Sequence, residues 1–160
     1  MTRLLQVFSI AIVTMVALIV MPSAAIAQSQ SVSVADQKNT ERSIRTINRT
    51  AASAELGLSR LSTSVETLLN RLAGSGASDT RMTDVAIFYQ RSATAARYRA
   101  ESKINVEANK QSIKLRAKAN SEALLADLED ARQTAIANIA AAEAETLDSI
   151  GESLDTVLNL

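Results

Sequence analysis

A seam of apolar residues in the first half of the chain limits the fold more than any other feature. Its nine members follow one another at alternating steps of three and four residues, without a miss. This spacing places them on one narrow face of a helix and is typical of the a and d positions of a coiled coil. The pattern predicts a helix over residues 36–73 that packs against one or two other helices. The seam residues are Ile44, Ile47, Ala51, Ala54, Leu58, Leu61, Val65, Leu68 and Leu72.

A turn is predicted over residues 74–79, which read Gly-Ser-Gly-Ala-Ser-Asp. Gly74 suits a left-handed C-terminal cap, and Ser78 or Asp79 suits the N-cap of a following helix. A turn this short normally joins antiparallel helices. Residues 80–158 contain no proline and a single glycine, so they predict one continuous long helix.

The second half of this predicted long helix has a different apolar period. Most of its apolar positions fall in series with a spacing of eleven residues, and the last four also fit a spacing of seven. Eleven residues over three turns correspond to 3.67 residues per turn, which gives a nearly straight seam. The predicted interface residues here are Leu124, Leu125, Leu128, Ile136, Ile139, Leu147, Ile150, Leu154 and Val157.

The predicted fold class is all-α, a long antiparallel helical hairpin or coiled coil. The chain is 47% hydrophobic but only 2% aromatic, a composition that suits closely packed helices better than a globular core. The alternative is an elongated three-helix bundle in which the chain bends near Asn120 and Ser121. Because no glycine or proline lies at that bend, the sequence favours the hairpin, with pairing between chains.

The N-terminus has the layout of a secretory signal peptide over residues 1–27. Arg3 precedes an apolar run from residue 4 to residue 21, and an A-x-A pattern ends at Ala27. A polar linker follows over residues 28–35. The expected location is therefore periplasmic or secreted, after cleavage behind Ala27. The alternative is an uncleaved N-terminal membrane anchor, because the apolar run is almost long enough to span a bilayer.

Charge is unevenly distributed along the chain. Residues 28–120 carry 15 Lys and Arg against 8 Asp and Glu, whereas residues 121–160 carry Arg132 alone against 9 acidic groups. The basic stretch predicts either a soluble helix face or docking on anionic lipid or polysaccharide. Glu101 and Glu107 interrupt it and favour the first interpretation. The predicted basic patch consists of Arg91, Arg97, Arg99, Lys103, Lys110, Lys114, Arg116 and Lys118.

The residue types argue against an enzyme, and no catalytic, cofactor-binding or metal-binding residue is predicted. The chain contains no His and no Cys, which removes the commonest metal ligands and the thiolate nucleophile. The carboxylate clusters at residues 129–130 and 143–145 are expected on a solvated face, because neighbours at these spacings point apart on a helix. Phe88, Tyr89 and Tyr98 are expected to fill the core near the turn.

Three families resemble parts of this pattern. An apolar N-terminus followed by an alanine-rich eleven-residue repeat is similar to the peripheral-stalk b subunit of rotary ATP synthases. The stretch from Ala95 to Glu101 is similar to the helices that follow the β domain in prohibitin- and stomatin-like proteins, although that domain is absent here. Export and paired helices resemble the Skp-type periplasmic chaperones, which have a strand core and a strongly basic charge that this chain lacks. No motif-level match carries a functional residue over.

These observations together predict an exported coiled-coil protein with a structural or interaction role. Its apolar seams would bind a second copy or another helical protein, and opposite charges would set the register. Neither nucleic acid nor a small-molecule substrate is expected as a partner, while an anionic envelope surface is kept as a possible one. The alternatives are a holdase-type chaperone, whose apolar stripes would stay open to unfolded clients, and a helical module that binds an anionic surface.

Overall fold

The computed structural model describes residues 31–159, which form three long helices. Helix α1 spans Val34–Gly74, helix α2 spans Asp79–Arg116, and helix α3 spans Glu122–Leu158. Each helix packs against the other two, and no β-strand forms within this part of the chain. The prediction of an all-α fold is confirmed. The predicted signal peptide, residues 1–27, lies outside the described residues.

Helix α1 begins with a capping box at Ser33. The backbone N–H of Asp36 donates to Ser33 Oγ at 3.2 Å, and the backbone N–H of Ser33 donates to Asp36 Oδ2 at 2.9 Å. This exchange satisfies two donors that the first helical turn would leave without partners. Just before it, the N–H of Val32 donates to the carbonyl of Ala119 at 3.3 Å, so the entry to α1 is attached to the connection between α2 and α3.

The turn between α1 and α2 lies where the sequence predicted it, but a different glycine takes the left-handed conformation. Gly74 is the last residue of α1, whereas Gly76 has a φ of 72°. The N–H of Ala77 donates to the carbonyl of Leu72, and that of Gly76 to the carbonyl of Ala73, both at 3.0 Å. This is a Schellman motif, in which the residue after the C-cap must have positive φ.

The predicted continuous helix over residues 80–158 is interrupted between Arg116 and Glu122. Asn120 has a φ of 59°, so an asparagine, and not a glycine, supplies the left-handed conformation at this bend. Asparagine tolerates this region better than other residues with a Cβ because its short side chain can bond locally. Ser121 Oγ then donates to the carbonyl of Lys118 at 3.1 Å. The break lets α3 return along the other two helices.

Buried residues in all three helices recur at a spacing of eleven. The sequence predicted this period only for the second half of the long helix, and a period of seven for α1. The difference is clearest at two neighbours, because Leu69 is fully buried whereas the predicted seam residue Leu68 is only partly buried. A period of eleven keeps one face of a helix against its neighbours over many turns with little supercoiling. The series are Ile47, Leu58 and Leu69 in α1, Met82, Ala93, Ile104 and Leu115 in α2, and Leu128, Ile139 and Ile150 in α3.

The predicted interface residues pack against one another inside a single chain. Those from α1 and α3 are all buried or partly buried, and all except Leu68 belong to one of two clusters that follow one another along the helices. The first cluster is centred on residues such as Ile104 and Ile139, and the second, near the turn between α1 and α2, contains Met82 and Ile150. Across residues 31–159, none of the helices combines the length and the apolar character needed to span a bilayer.

Candidate functional site

Two of the eight predicted basic residues make ion pairs to another helix instead of facing solvent, Arg97 from α2 and Lys118 from the connection between α2 and α3. Arg97 is partly buried, and its Nη1 donates to Glu143 Oε2 at 2.9 Å while its Nε donates to Glu101 Oε1 at 2.7 Å. Lys118 Nζ donates to Asp36 Oδ2 at 2.6 Å. These two cations therefore stabilise the packing of the helices and leave the predicted patch with six members.

The prediction that the carboxylates of residues 143–145 lie on a solvated face is wrong for Glu143, which is buried and paired with Arg97. Burial raises the pKa of Glu143, but hydrogen bonds from Thr94 and Arg97 outweigh it and hold that pKa below its usual range. The hydrogen bonds that Arg97 donates, to Glu143 first and then to Glu101, raise the pKa of Arg97. Both groups are thus held in their charged forms inside the helix contact.

The two carboxylates that interrupt the basic stretch in sequence do not interrupt it in space. Glu101 is held by Arg97, with its side chain only 16% exposed. Glu107 is partly buried and accepts a hydrogen bond from Ser43 Oγ at 2.7 Å, across the contact between α1 and α2. From Arg91 to Arg116, all the exposed charges of α2 are therefore positive.

Apolar side chains lie between these cations on the solvent side of α2. Val106 is 65% exposed and Ile113 is 70% exposed. Steps of three and four place both on one face of the helix with Lys103 and Lys110. We call this surface the basic face. It consists of Arg91, Arg99, Lys103, Val106, Lys110, Ile113, Lys114 and Arg116.

The aromatic residues lie differently from their prediction as core residues. Phe88 is 64% exposed and Tyr98 is 59% exposed, whereas Tyr89 is partly buried and packs against the core cluster near the first turn. Phe88 and Tyr89 make an edge-to-face contact with ring centroids 5.4 Å apart. The exposure of Phe88 adds apolar surface beyond one end of the basic face.

Helix α3 presents the opposite charge. Its one basic residue, Arg132, donates from Nε to Glu129 Oε2 and from Nη1 to Asn105 Oδ1, both at 2.8 Å. The bond from Arg132, with a second one from Gln133, lowers the pKa of Glu129 to about 2. The solvent side of α3 is therefore strongly acidic. Its exposed carboxylates include Glu122, Asp127, Asp130, Glu145, Asp148, Glu152 and Asp155.

A groove of about 670 Å³ runs between α1 and α3. Its walls consist mostly of small side chains such as Ala52, Ser59 and Ala141. Within it the hydroxyls of Ser62 and Ser149 form a hydrogen bond at 2.6 Å. These small side chains leave the space between the two helices open.

Sequence reasoning missed a buried polar layer near the start of α1. Gln111 Nε2 donates to Thr40 Oγ1 at 3.1 Å, next to the bond between Ser43 and Glu107. Thr40, Ser43 and Ile47 follow one another at steps of three and four, so a spacing search that admits polar residues would have found them. Every buried side-chain nitrogen or oxygen in residues 31–159 has a hydrogen-bond partner.

Neither a metal centre nor a known family accounts for these features. Within the described range, no group of three or more His, Cys, Asp and Glu side chains is arranged to hold a metal ion. Comparisons with protein-family models, with curated proteins and with solved structures find no match to this chain. The basic face is therefore the feature from which a function can be argued.

Proposed function

We propose that this chain is an exported, non-catalytic interaction module that binds an anionic surface or polymer through the basic face of α2. The observation that carries the proposal is the combination of six exposed cations with Glu101 and Glu107 turned away from them. A row of like charges without nearby counter-charges raises the local electrostatic potential and attracts anions. In a helix that was merely soluble, the two carboxylates would be expected to alternate with the cations at the surface.

The packing of the helices supports this assignment. Because α1 and α3 cover the inner side of α2, the basic face is presented on a supported helix and needs no folding upon binding. We propose the finer form of the fold to be an elongated three-helix bundle, in which α2 supplies the binding surface. A holdase would need apolar stripes that stay open to unfolded clients, whereas the predicted seams of the described helices pack against one another.

Binding of residues 28–160 to immobilised dextran sulfate and to anionic phospholipid vesicles tests the proposal. Residues 31–159 contain their own core, so this fragment holds all the described helices. We expect binding at low salt that weakens strongly near 1 M salt, where the Debye length falls to about 3 Å. The double variant Lys103→Glu/Lys110→Glu should lose it.

The matched control is Arg60→Glu/Arg71→Glu, which makes the same change in net charge at two exposed positions of α1. This control should bind nearly as well as the wild-type chain. Equal losses in both double variants would show that overall charge, not the basic face, governs binding. Absence of binding to both anionic probes would overturn the proposal.

The proposed location follows from the predicted signal peptide. If export and cleavage occur, the mature chain begins at Gln28, only a few residues before the bond between Val32 and Ala119. The N-terminal sequence of the protein recovered from the cell envelope or the medium tests this prediction. A chain that retains Met1 and stays with the membrane after high-salt washing would instead support the anchored alternative.

Self-association is the second candidate function, and the acidic side of α3 favours it. Two copies can place the basic face of one chain against the acidic side of the other, so electrostatic complementarity replaces the predicted pairing of apolar seams. Light scattering coupled to size exclusion, at low and high salt, tests this candidate. An oligomer that dissociates in salt would support it, and a monomer at both salt concentrations would exclude it.

A further inference from the structure

We infer that the anionic partner of the basic face is a phospholipid membrane, and that Val106 and Ile113 enter its interfacial region. The inference rests on the proposed function and specifies its partner. An anionic polymer needs only the cations, whereas a bilayer also offers an apolar layer beneath its phosphates. The two exposed aliphatic side chains therefore favour a bilayer over a polymer as the partner.

The geometry of the basic face suits a helix that lies flat on a membrane. Lys103, Val106, Lys110 and Ile113 follow one another at steps of three, four and three, so cations and aliphatic groups alternate along one line. Helices that lie in a bilayer interface bury their apolar groups about 5–10 Å deep. The flexible stems of Lys side chains let their ammonium groups reach the phosphates while neighbouring apolar groups go deeper.

The carboxylates within this part of α2, and Glu129 next to it, are all bonded to other groups. The carboxylates of Glu101 and Glu107 are bonded to Arg97 and Ser43, on the inner side of α2. Glu129 of α3, which lines a groove together with Arg116, is paired with Arg132. The headgroups of anionic lipids would therefore meet cations along this part of α2.

The test separates the contribution of the aliphatic side chains to binding from that of the cations. Flotation of residues 28–160 with vesicles of phosphatidylcholine, and of phosphatidylcholine mixed with phosphatidylglycerol, is compared with binding to dextran sulfate. Of the two kinds of vesicle, we expect the wild-type chain to bind the mixed vesicles and not those of phosphatidylcholine alone. Val106→Ser/Ile113→Ser should weaken vesicle binding about tenfold, because two aliphatic groups that enter the membrane interface in part are lost. The same variant should leave dextran sulfate binding unchanged. Circular dichroism checks that each variant is folded.

The matched control removes two exposed apolar side chains elsewhere. Val34→Ser/Leu56→Ser changes positions of α1 that are also more than half exposed, and it should bind vesicles like the wild-type chain. If Val106→Ser/Ile113→Ser also binds like the wild type, membrane insertion is excluded while the proposed function stands. Binding to dextran sulfate without binding to vesicles has the same meaning. If the wild-type chain binds neither vesicles nor dextran sulfate, the proposed function itself is overturned.

A fluorescent reporter gives a second, independent test. The chain contains no Trp, so a single introduced Trp reports one position. Val106→Trp should shift its emission to shorter wavelength on mixed vesicles and be quenched by lipids with brominated acyl chains. Leu56→Trp, on α1, should do neither. Equal responses from both positions, or none from Val106→Trp on vesicles that bind the protein, would contradict insertion through the basic face.

Discussion

Arg97 on α2 and Glu143 on α3 form an ion pair with 2.9 Å between Nη1 and Oε2, and the Glu143 side chain is only 7% exposed. The pair joins two helices whose contact depends on the return of α3. Removing one member of a buried pair leaves the other charged and desolvated, which costs more than the loss of an exposed pair. Loss of one member of this pair should therefore weaken the contact between α2 and α3.

The first prediction concerns this pair. Arg97→Leu should lower the free energy of unfolding by about 1–3 kcal/mol, because Glu143 then lacks its cation, although the partial exposure of Arg97 limits the effect. Urea denaturation measures the change. Arg45→Leu is the control, since its pair with Glu41 is exposed and 3.9 Å long, and it should change stability by less than about 0.5 kcal/mol. Equal effects would show that the burial of Glu143 does not make the Arg97 pair more stabilising than an exposed pair.

The second prediction concerns pH. Hydrogen bonds from Lys118 and then Ser33 lower the pKa of Asp36 from 3.8 to about 2. A carboxylate with a lowered pKa in the folded state stabilises it fully above its unfolded pKa, and this contribution disappears as the pH falls through about 2. The free energy of unfolding should thus decrease between about pH 4 and pH 2, and Asp36→Asn should flatten this decrease. Asp148→Asn, at an exposed position of α3, should not.

The third prediction compares two glycines of the first turn. Gly76→Ala should destabilise the protein by about 1 kcal/mol, because Gly76 has a φ of 72° and a Cβ disfavours that conformation. Gly74→Ala should be neutral or stabilising by up to about 1 kcal/mol, since Gly74 is helical and alanine favours a helix. Thermal unfolding measures both. The reverse order would place the left-handed cap at Gly74.

The fourth prediction compares two adjacent leucines. Leu69→Ala should cost about 2–4 kcal/mol, because Leu69 is fully buried and the change leaves a cavity. Leu68→Ala should cost less than about 1.5 kcal/mol, because Leu68 is only partly buried. Chemical denaturation of both variants tests whether α1 packs with a period of eleven. A larger loss of stability in Leu68→Ala than in Leu69→Ala would support packing of α1 through the predicted heptad seam.

The fifth prediction concerns the connection between α2 and α3. Asn120→Val should destabilise the protein by about 1–3 kcal/mol, because a β-branched residue resists a φ of 59°. Asn120→Gly should be tolerated, since glycine adopts this conformation readily. Asn109→Val, at an exposed position within α2, should change stability by less than about 0.5 kcal/mol. Similar values for Asn109→Val and Asn120→Val would mean that the chain does not need this conformation at Asn120.

The sequence by itself determined the helical class and the position of the first turn. These features depend on local spacing and on capping chemistry, which a chain carries wherever its partners lie. The eleven-residue period was readable in α3 because leucine and isoleucine mark it there. In α1 and α2, Thr40, Ser43 and several alanines occupy the same kind of position, so hydrophobicity alone hid the pattern.

Only the tertiary structure decided which side of α2 each charge faces. Glu107 looks like an interruption of a basic run until Ser43 of α1 supplies its partner. Glu101 looks like one until its neighbour Arg97 joins it to the contact with Glu143 of α3. The partner of Arg97 lies 46 residues away along the chain, and that of Glu107 lies 64 residues away. No local pattern encodes such pairs, because they depend on the return of α3 through Asn120 and on the free energy of covering three apolar faces at once.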